Sequence, residues 1–204
     1  MKKNNSVNIR NMVLLAALTA ITIILQFFGA FVRIGTFQIA LVLVPIVVGA
    51  AIIGVLAGVW LGLVFGIVVL VNGDAALFLS LNPFGTVVAV LVKGMAAGLA
   101  AGFCYRLLAN KNRYIAALCA AVAAPVVNTG IFILGCYIFF LPHLPGIADL
   151  IQGTENTSLN NTQIIFILLV GVNFLIELLV NVILSGVIVR IIDIWKQRQT
   201  VLNK

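Results

Sequence analysis

Charge is what this chain has little of. Only 8% of its 204 residues are charged, against 63% hydrophobic, whereas a soluble domain carries about 25% charged residues. That deficit excludes a water-soluble globular fold and implies an integral membrane protein. Histidine is nearly absent, with His143 as the one example. Neither a histidine-rich metal site nor an intramembrane Ser-His-Asp triad can be assembled from that inventory. The 3 cysteines, Cys104, Cys119 and Cys136, lie inside apolar segments; with no CxxC pair and no metal spacing, they read as small packing side chains. No metal and no cofactor is implied. A GxxxxGK[ST] phosphate loop is missing, so ATP hydrolysis through that motif is excluded. Also missing are the alternating segments of an outer-membrane barrel and any nucleic-acid-binding motif. There is no clear inverted repeat of the kind many secondary transporters show.

Long apolar runs are what is there. At ~20 residues per span, about six helices fit. Residues 1–11 form a polar basic arm. The following run is too long, and lacks the small-residue cleavage site, for a removed leader, so it is read as a retained first helix over 12–30. From Gln38 to Val71 the chain is almost continuously apolar. One helix of that length would measure roughly 50 Å, more than the ~30 Å hydrocarbon core. It is therefore divided into spans over 38–52 and 55–71, joined by a tight turn around Ile52–Val55. The second of these carries Gly54, Gly58, Gly62 and Gly66, a stripe that allows close helix approach. The remaining spans are 85–106, 115–141 and 163–189, with 190–204 as a tail. The segment 72–83 reads as a loop or a short re-entrant segment, and 142–162 as a longer polar loop.

Orientation follows from the basic residues. Lys2, Lys3 and Arg10, then Arg106, Lys111 and Arg113, then Arg190, Lys196, Arg198 and Lys204 are ten of the 12 lysines and arginines. With six spans, all ten lie on one side. The positive-inside rule makes that side, and both termini, cytoplasmic. The 72–83 and 142–162 loops then face outward.

Lys93 is the exception. Its span reads GTVVAVLVKGMAAGLAAGFCYR, which buries a charge roughly 12 Å down the helix axis. At that depth a charge costs at least ~2.5–3.5 kcal/mol and usually faces a cavity or a partner. On the last span Asn173, Glu177 and Asn181 follow at i, i+4, i+8 and share one face. Asn173 lies ~15 Å and Glu177 ~21 Å from the outer end, with Asn128 of the fifth span about 20 Å deep. Lys93, Asn128, Asn173 and Glu177 can line one outward-opening cavity, where Lys93 suits an anionic group. Two other readings stay open. Lys93 and Glu177 can simply pair, with the asparagines as interhelical glue, although a buried pair kept for stability alone gains little over apolar packing. Glu177 can also serve as a proton site, a thin relay with no intramembrane histidine beside it. Arg33, Asn72, Asp74 and Asn82 supply a candidate rim, and each alone reads equally as a solvated loop residue. Ala16 and Ala20 form an AxxxA pair suited to ordinary helix packing.

These residues resemble a known family. The basic arm, the Ala16–Ala20 helix, Pro45, the Gly54–Gly66 stripe, NPFGTVVAVLVKG, PVVNTGIF and VNFLIELLVNVILSGVIVRII occur in the order seen in a substrate-binding (S) component of an energy-coupling factor (ECF) vitamin transporter. The likeness covers nearly the whole chain. Lys93-Gly94, Asn128-Thr129-Gly130 and the Asn173, Glu177, Asn181 block are most similar to the pantothenate-type branch. One departure is the corner between spans two and three, where many relatives have Gly-Pro and this chain has Ile53-Gly54-Val55.

The resemblance implies an all-α integral membrane bundle of six helices in a bacterial plasma membrane, both termini inside. It implies a transport subunit, not an enzyme, with a vitamin pocket near the outer face. It also implies that Ala16 and Ala20 dock on a transmembrane coupling subunit bearing two ATPase subunits. Pantothenate is the expected cargo, with Lys93 on its carboxylate and Asn128, Asn173 and Glu177 on amide and hydroxyl groups; Asn72, Asp74 and Asn82 join them as rim residues. The alternative is an autonomous ion-coupled transporter that uses Glu177. An intramembrane enzyme is disfavoured by the poor supply of nucleophiles and bases.

Overall fold

In a membrane an uncharged apolar chain must satisfy its backbone polar groups internally, and helices do so within one segment. The computed structural model describes residues 2–29, 33–34, 37–38, 41–152 and 159–202, and for some of these, Asn173 among them, the backbone alone. In order come α1 (Lys2–Gly29), α2 (Leu43–Ile52), α3 (Val55–Val71), α4 (Ala76–Leu81), α5 (Pro83–Leu108), α6 (Arg113–Gly135), α7 (Leu144–Gln152), α8 (Asn161–Gln163) and α9 (Gly171–Leu202). A π-helical stretch, Cys136–Phe140, prolongs α6, and a second, Ile164–Val170, leads into α9. The described structure is all-helical apart from a two-residue antiparallel pairing that sets Arg33 opposite Gln38. Ile9–Gly29, Pro83–Leu108, Arg113–Asp149 and Phe174–Trp195 are long and apolar enough to cross a membrane, whereas Leu43–Ile52, Val55–Val71 and Asn161–Val170 are shorter apolar helices.

Local chemistry sets the breaks. α2 and α3 meet at Gly54, whose φ of 138° lies where side-chain-bearing residues are strained. At the start of α5, Asn82 Oδ1 accepts from Gly85 N at 2.9 Å and Pro83 takes the first helical position, an N-cap followed by the residue that loses least by lacking an N–H. Asn112 caps α6, accepting from Tyr114 N at 2.9 Å and Ile115 N at 3.3 Å.

α5 is the central helix and packs most extensively on α6 and α3. Its contact with α3 is a seam of glycines meeting backbone to backbone. A Cβ on Gly58 would lie 2.6 Å from the Gly98 carbonyl oxygen. Gly62 and Gly94 stand the same way, each facing the other's carbonyl. Gly102 would bring a Cβ to 2.8 Å from Val55 Cα, beside the α2–α3 corner.

The buried side chains form two separate clusters. The larger, with Leu43, Ile46, Leu61, Phe65, Ala117 and Ile188, joins α2, α3, α5, α6 and α9. The smaller, with Cys136, Leu144, Ile147, Ala148, Ile164 and Ile165, ties α7 to the two π stretches. α7 lies within the 142–162 segment expected to be loop. It forms because Leu144, Ile147 and Ala148 recur at i, i+3, i+4 and make a buried stripe.

At the opposite end of the bundle the Arg10 guanidinium lies 5.0 Å from the Trp195 ring centroid, bringing α1 to the end of α9. Arg113 and Asp193 pair there at 3.4 Å, an exposed contact that contributes about 0–1 kcal/mol. α1 itself is two-faced: Leu18, Thr22 and Gln26, four residues apart, are buried, while Ala16, Ala17 and Ala20 are exposed.

Candidate functional site

Where α3, α5, α6 and α9 converge beneath residues 73–78, packing leaves a cavity of about 350 Å³. It lies at the boundary between the two apolar clusters. Phe65, Val69 and Val90 come from the larger, and Phe78, Phe132, Leu169 and Val170 from the smaller. A cavity between two cores is walled by whatever those cores do not use on each other, here including five phenylalanines.

Lys93 enters from α5, one residue before the seam at Gly94. The seam holds α5 against α3 at that point, next to the lysine. Its ammonium lies 5.8 Å from the Phe65 ring centroid and 5.3 Å from that of Phe132, within reach of the electron-rich ring faces. Among the described residues it forms no ion pair. Lys93 and Glu177 therefore share the cavity without closing on each other.

Asn128 from α6 and Glu177 from α9 line the same space and are 6% and 3% exposed. Among the described residues, Asn128 Oδ1 and Glu177 Oε1 have no hydrogen-bond partner. A buried acceptor left unbonded costs about 1–3 kcal/mol, so the arrangement favours a donor-bearing group between them. Asn181, one turn further along α9 and fully buried, donates Nδ2–H to the Glu177 main-chain oxygen at 2.8 Å and so braces that turn of the helix. Thr86 and Thr129 add hydroxyl-bearing lining.

Asp74 lies on the lining too, with one carboxylate oxygen already engaged. Oδ2 accepts from Gln26 Nε2 at 2.7 Å and from Asn72 Nδ2 at 2.6 Å. Asn72 is thus one step from the cavity, acting on Asp74. Asn82 is not on the lining; its side chain caps α5 and reaches the Phe139 carbonyl at 3.4 Å. Asn173 lies in α9, and its side chain, like that of Arg33, is outside the described residues. Ala16 and Ala20 are remote from the cavity, on the exposed face of α1.

Sequence reasoning missed Gln26, the two threonines and the aromatic wall of Phe65, Phe78, Phe132, Phe140 and Phe174. Gln26 carried a usable signal, a polar amide inside an apolar span. The phenylalanines carried none, because phenylalanine is equally at home against lipid.

The family model for the substrate-specific component of ECF transporters matches residues 10–189. The chain belongs to this family. No curated protein and no solved structure matches it. As an ECF substrate-specific component it is a multi-pass membrane protein and a transport subunit, with a small molecule as its substrate. The match spans every element that contributes to the cavity, from Gln26 on α1 to Glu177 on α9. For such a component a mixed cavity of this size is chemically apt, since ligand pockets run to ~300–1,000 Å³ with apolar walls and a few placed polar groups.

Proposed function

We propose that this substrate-specific component captures a small water-soluble vitamin, pantothenate, from outside the cell and delivers it through an ATPase-driven coupling module. The observation that carries the reading is the meeting of one ammonium, Lys93, with two buried acceptors, Asn128 Oδ1 and Glu177 Oε1, that lack partners among the described residues, on one 350 Å³ cavity. The complementary ligand has a carboxylate at one end and hydroxyl or amide donors at the other. Pantothenate has both, and its aliphatic middle suits the phenylalanine walls. Asn173 is assigned to the same polar end by its register on α9. Asp74 and Asn72 belong to the rim, and Asn82 supports the rim by capping α5.

In this reading the chain crosses a bacterial plasma membrane six times with both termini cytoplasmic, α2 and α3 each counting as a crossing. Ala16 and Ala20, exposed on α1, meet the transmembrane coupling subunit, where small side chains permit close helix approach. Energy comes from two ATPase subunits bound to that partner, because this chain has no phosphate loop.

The test is equilibrium binding of radiolabelled pantothenate to the full-length protein in nanodiscs. Wild type binds it, and Lys93→Ala weakens binding at least ~100-fold, as expected when a buried anion loses its charged partner. Unchanged affinity in the variant removes Lys93 from the site. Mass spectrometry of small molecules that co-purify with the protein identifies the cargo independently. Uptake by the chain alone in liposomes, abolished by Glu177→Gln, would replace this reading with an autonomous ion-coupled carrier.

A further inference from the structure

Lys93 is the one cation among the described residues lining the cavity, and the lining also carries the carboxylates of Asp74 and Glu177. Between apolar walls opposite charges attract far more strongly than in water. An ammonium left to itself there would settle on a carboxylate and cancel its own charge. Asp74 Oδ2 already accepts from Gln26 and Asn72, and among the described residues Lys93 makes no ion pair with Glu177. Something other than a counter-ion holds the ammonium in place.

Two rings stand where a counter-ion would. Phe65 of α3 and Phe132 of α6 place their centroids 5.8 Å and 5.3 Å from Lys93 Nζ, both inside the ~6 Å range over which a ring face attracts a cation. Neither ring is loosely set. A Cβ built on Gly94 would lie 3.3 Å from Phe65 Cδ1, so Phe65 packs over the bare backbone beside Lys93. Phe132 stands edge-on to Phe78, with 5.6 Å between centroids and 86° between ring planes. The lysine is thus flanked by rings from the two helices that pack most extensively on α5.

A ring and a carboxylate compensate an ammonium in different ways. The carboxylate neutralises it, and an incoming anion must then displace the carboxylate. The ring acts through its quadrupole and carries no net charge, so the ammonium keeps its full charge for the anion.

We propose that Phe65 and Phe132 are positioning residues that hold the Lys93 ammonium off Glu177 in the empty site, and so set the preference of the cavity for an anionic over an uncharged cargo. Neither ring need touch the charged end of the ligand. Without them Lys93 closes on Glu177, and an anion has to break that pair to bind. The inference deepens the ligand reading above and rests on it for the anion, but the position of Lys93 in the empty cavity is measured without a ligand.

The experiment uses the full-length protein in nanodiscs. The variants are Phe65→Leu, Phe132→Leu and a protein in which a pentafluorinated phenylalanine replaces Phe132, which keeps the outline of the ring and reverses the potential of its face. The first readout is NMR of lysine isotope-labelled at Cε, with no ligand present and the Lys93 signal identified by its loss in Lys93→Gln. Ring currents should shift the Lys93 methylene protons upfield of those of the exposed Lys111, and either leucine variant should move them back. The second readout is equilibrium binding of radiolabelled pantothenate and of its uncharged alcohol analogue. Phe132→Leu and the fluorinated ring are each expected to lower the preference for pantothenate over the alcohol about tenfold. A Lys93 signal at the position of Lys111 in the wild type overturns the clamp. An unchanged preference in the fluorinated variant, or an equal loss of affinity for acid and alcohol, also overturns it, because packing alone then accounts for the rings. Should the wild type bind neither compound, the pantothenate reading falls, and the Lys93 signal with its response to Phe132→Leu decides the clamp.

Discussion

Single residues at this site divide by what their bonds are for. Lys93 and Glu177 were legible in the sequence because a charge in an apolar run needs a reason, and the fold places both on one cavity. Asn72 and Asn82 looked alike from their types and positions near turns, but their geometry separates them. One holds the Asp74 turn at 2.6 Å, and the other caps α5 through Gly85 N at 2.9 Å. The sign for Asn82 was the following proline, since Asn-Pro is how a helix is commonly begun. Replacing Asn82 with alanine is therefore expected to lower stability by about 1 kcal/mol and to leave affinity for the proposed ligand, pantothenate, within about threefold. Thermal unfolding and equilibrium binding on the same preparation check this. A loss of affinity exceeding the loss of stability would put Asn82 on the ligand after all.

Elements follow similar logic over longer stretches. The four-residue glycine spacing on both α3 and α5 announced close approach, but not that the two stripes would face each other. Partner choice depends on the shape of the whole bundle, and a helix stripe alone does not encode it. α7 was hidden by Pro142, Pro145 and Gly146, which suggested loop, while its stripe of Leu144, Ile147 and Ala148 is too short to stand out from a hydrophobic background. The glycine seam makes a firm prediction. A methyl at Gly62 meets the Gly94 carbonyl, and a backbone atom cannot swing aside as a side chain can. Gly62→Ala should cost about 1–3 kcal/mol as an overpacked contact. It should also weaken pantothenate binding from outside the cavity, because any slip of α5 at Gly94 carries Lys93 with it. Thermal stability and affinity measured together test the pair, and unchanged values for both would show the seam to be looser than described.

For the whole molecule, belonging to the ECF substrate-specific components fixes the role of transport subunit, and composition had already pointed to a membrane bundle. What the sequence could not supply was the aromatic wall, because lipid-facing and cavity-facing phenylalanines are chemically identical until the helices are rotated into place. The docking face proposed on α1 is testable in reconstituted vesicles. Ala16→Trp should leave pantothenate binding intact and stop uptake in the presence of the coupling subunit and ATPases, since a large ring prevents close helix contact. Uptake at the wild-type rate would remove Ala16 from the docking surface.

The separation of the buried side chains into two clusters has a thermodynamic consequence. Units that share few contacts open independently, and the smaller opens at lower free energy. The layer around Leu144, Ile147, Ile164 and Ile165 should therefore exchange its amide hydrogens well before the glycine seam does. A ligand between the clusters touches both, so its binding energy enters the coupling between them as well as the stability of each. Saturating pantothenate should slow exchange in α7 toward that of α5, merging two unfolding transitions into one. Protection confined to one cluster would contradict this. With its cavity filled the bundle should behave as one cooperative unit, and with the cavity empty as two.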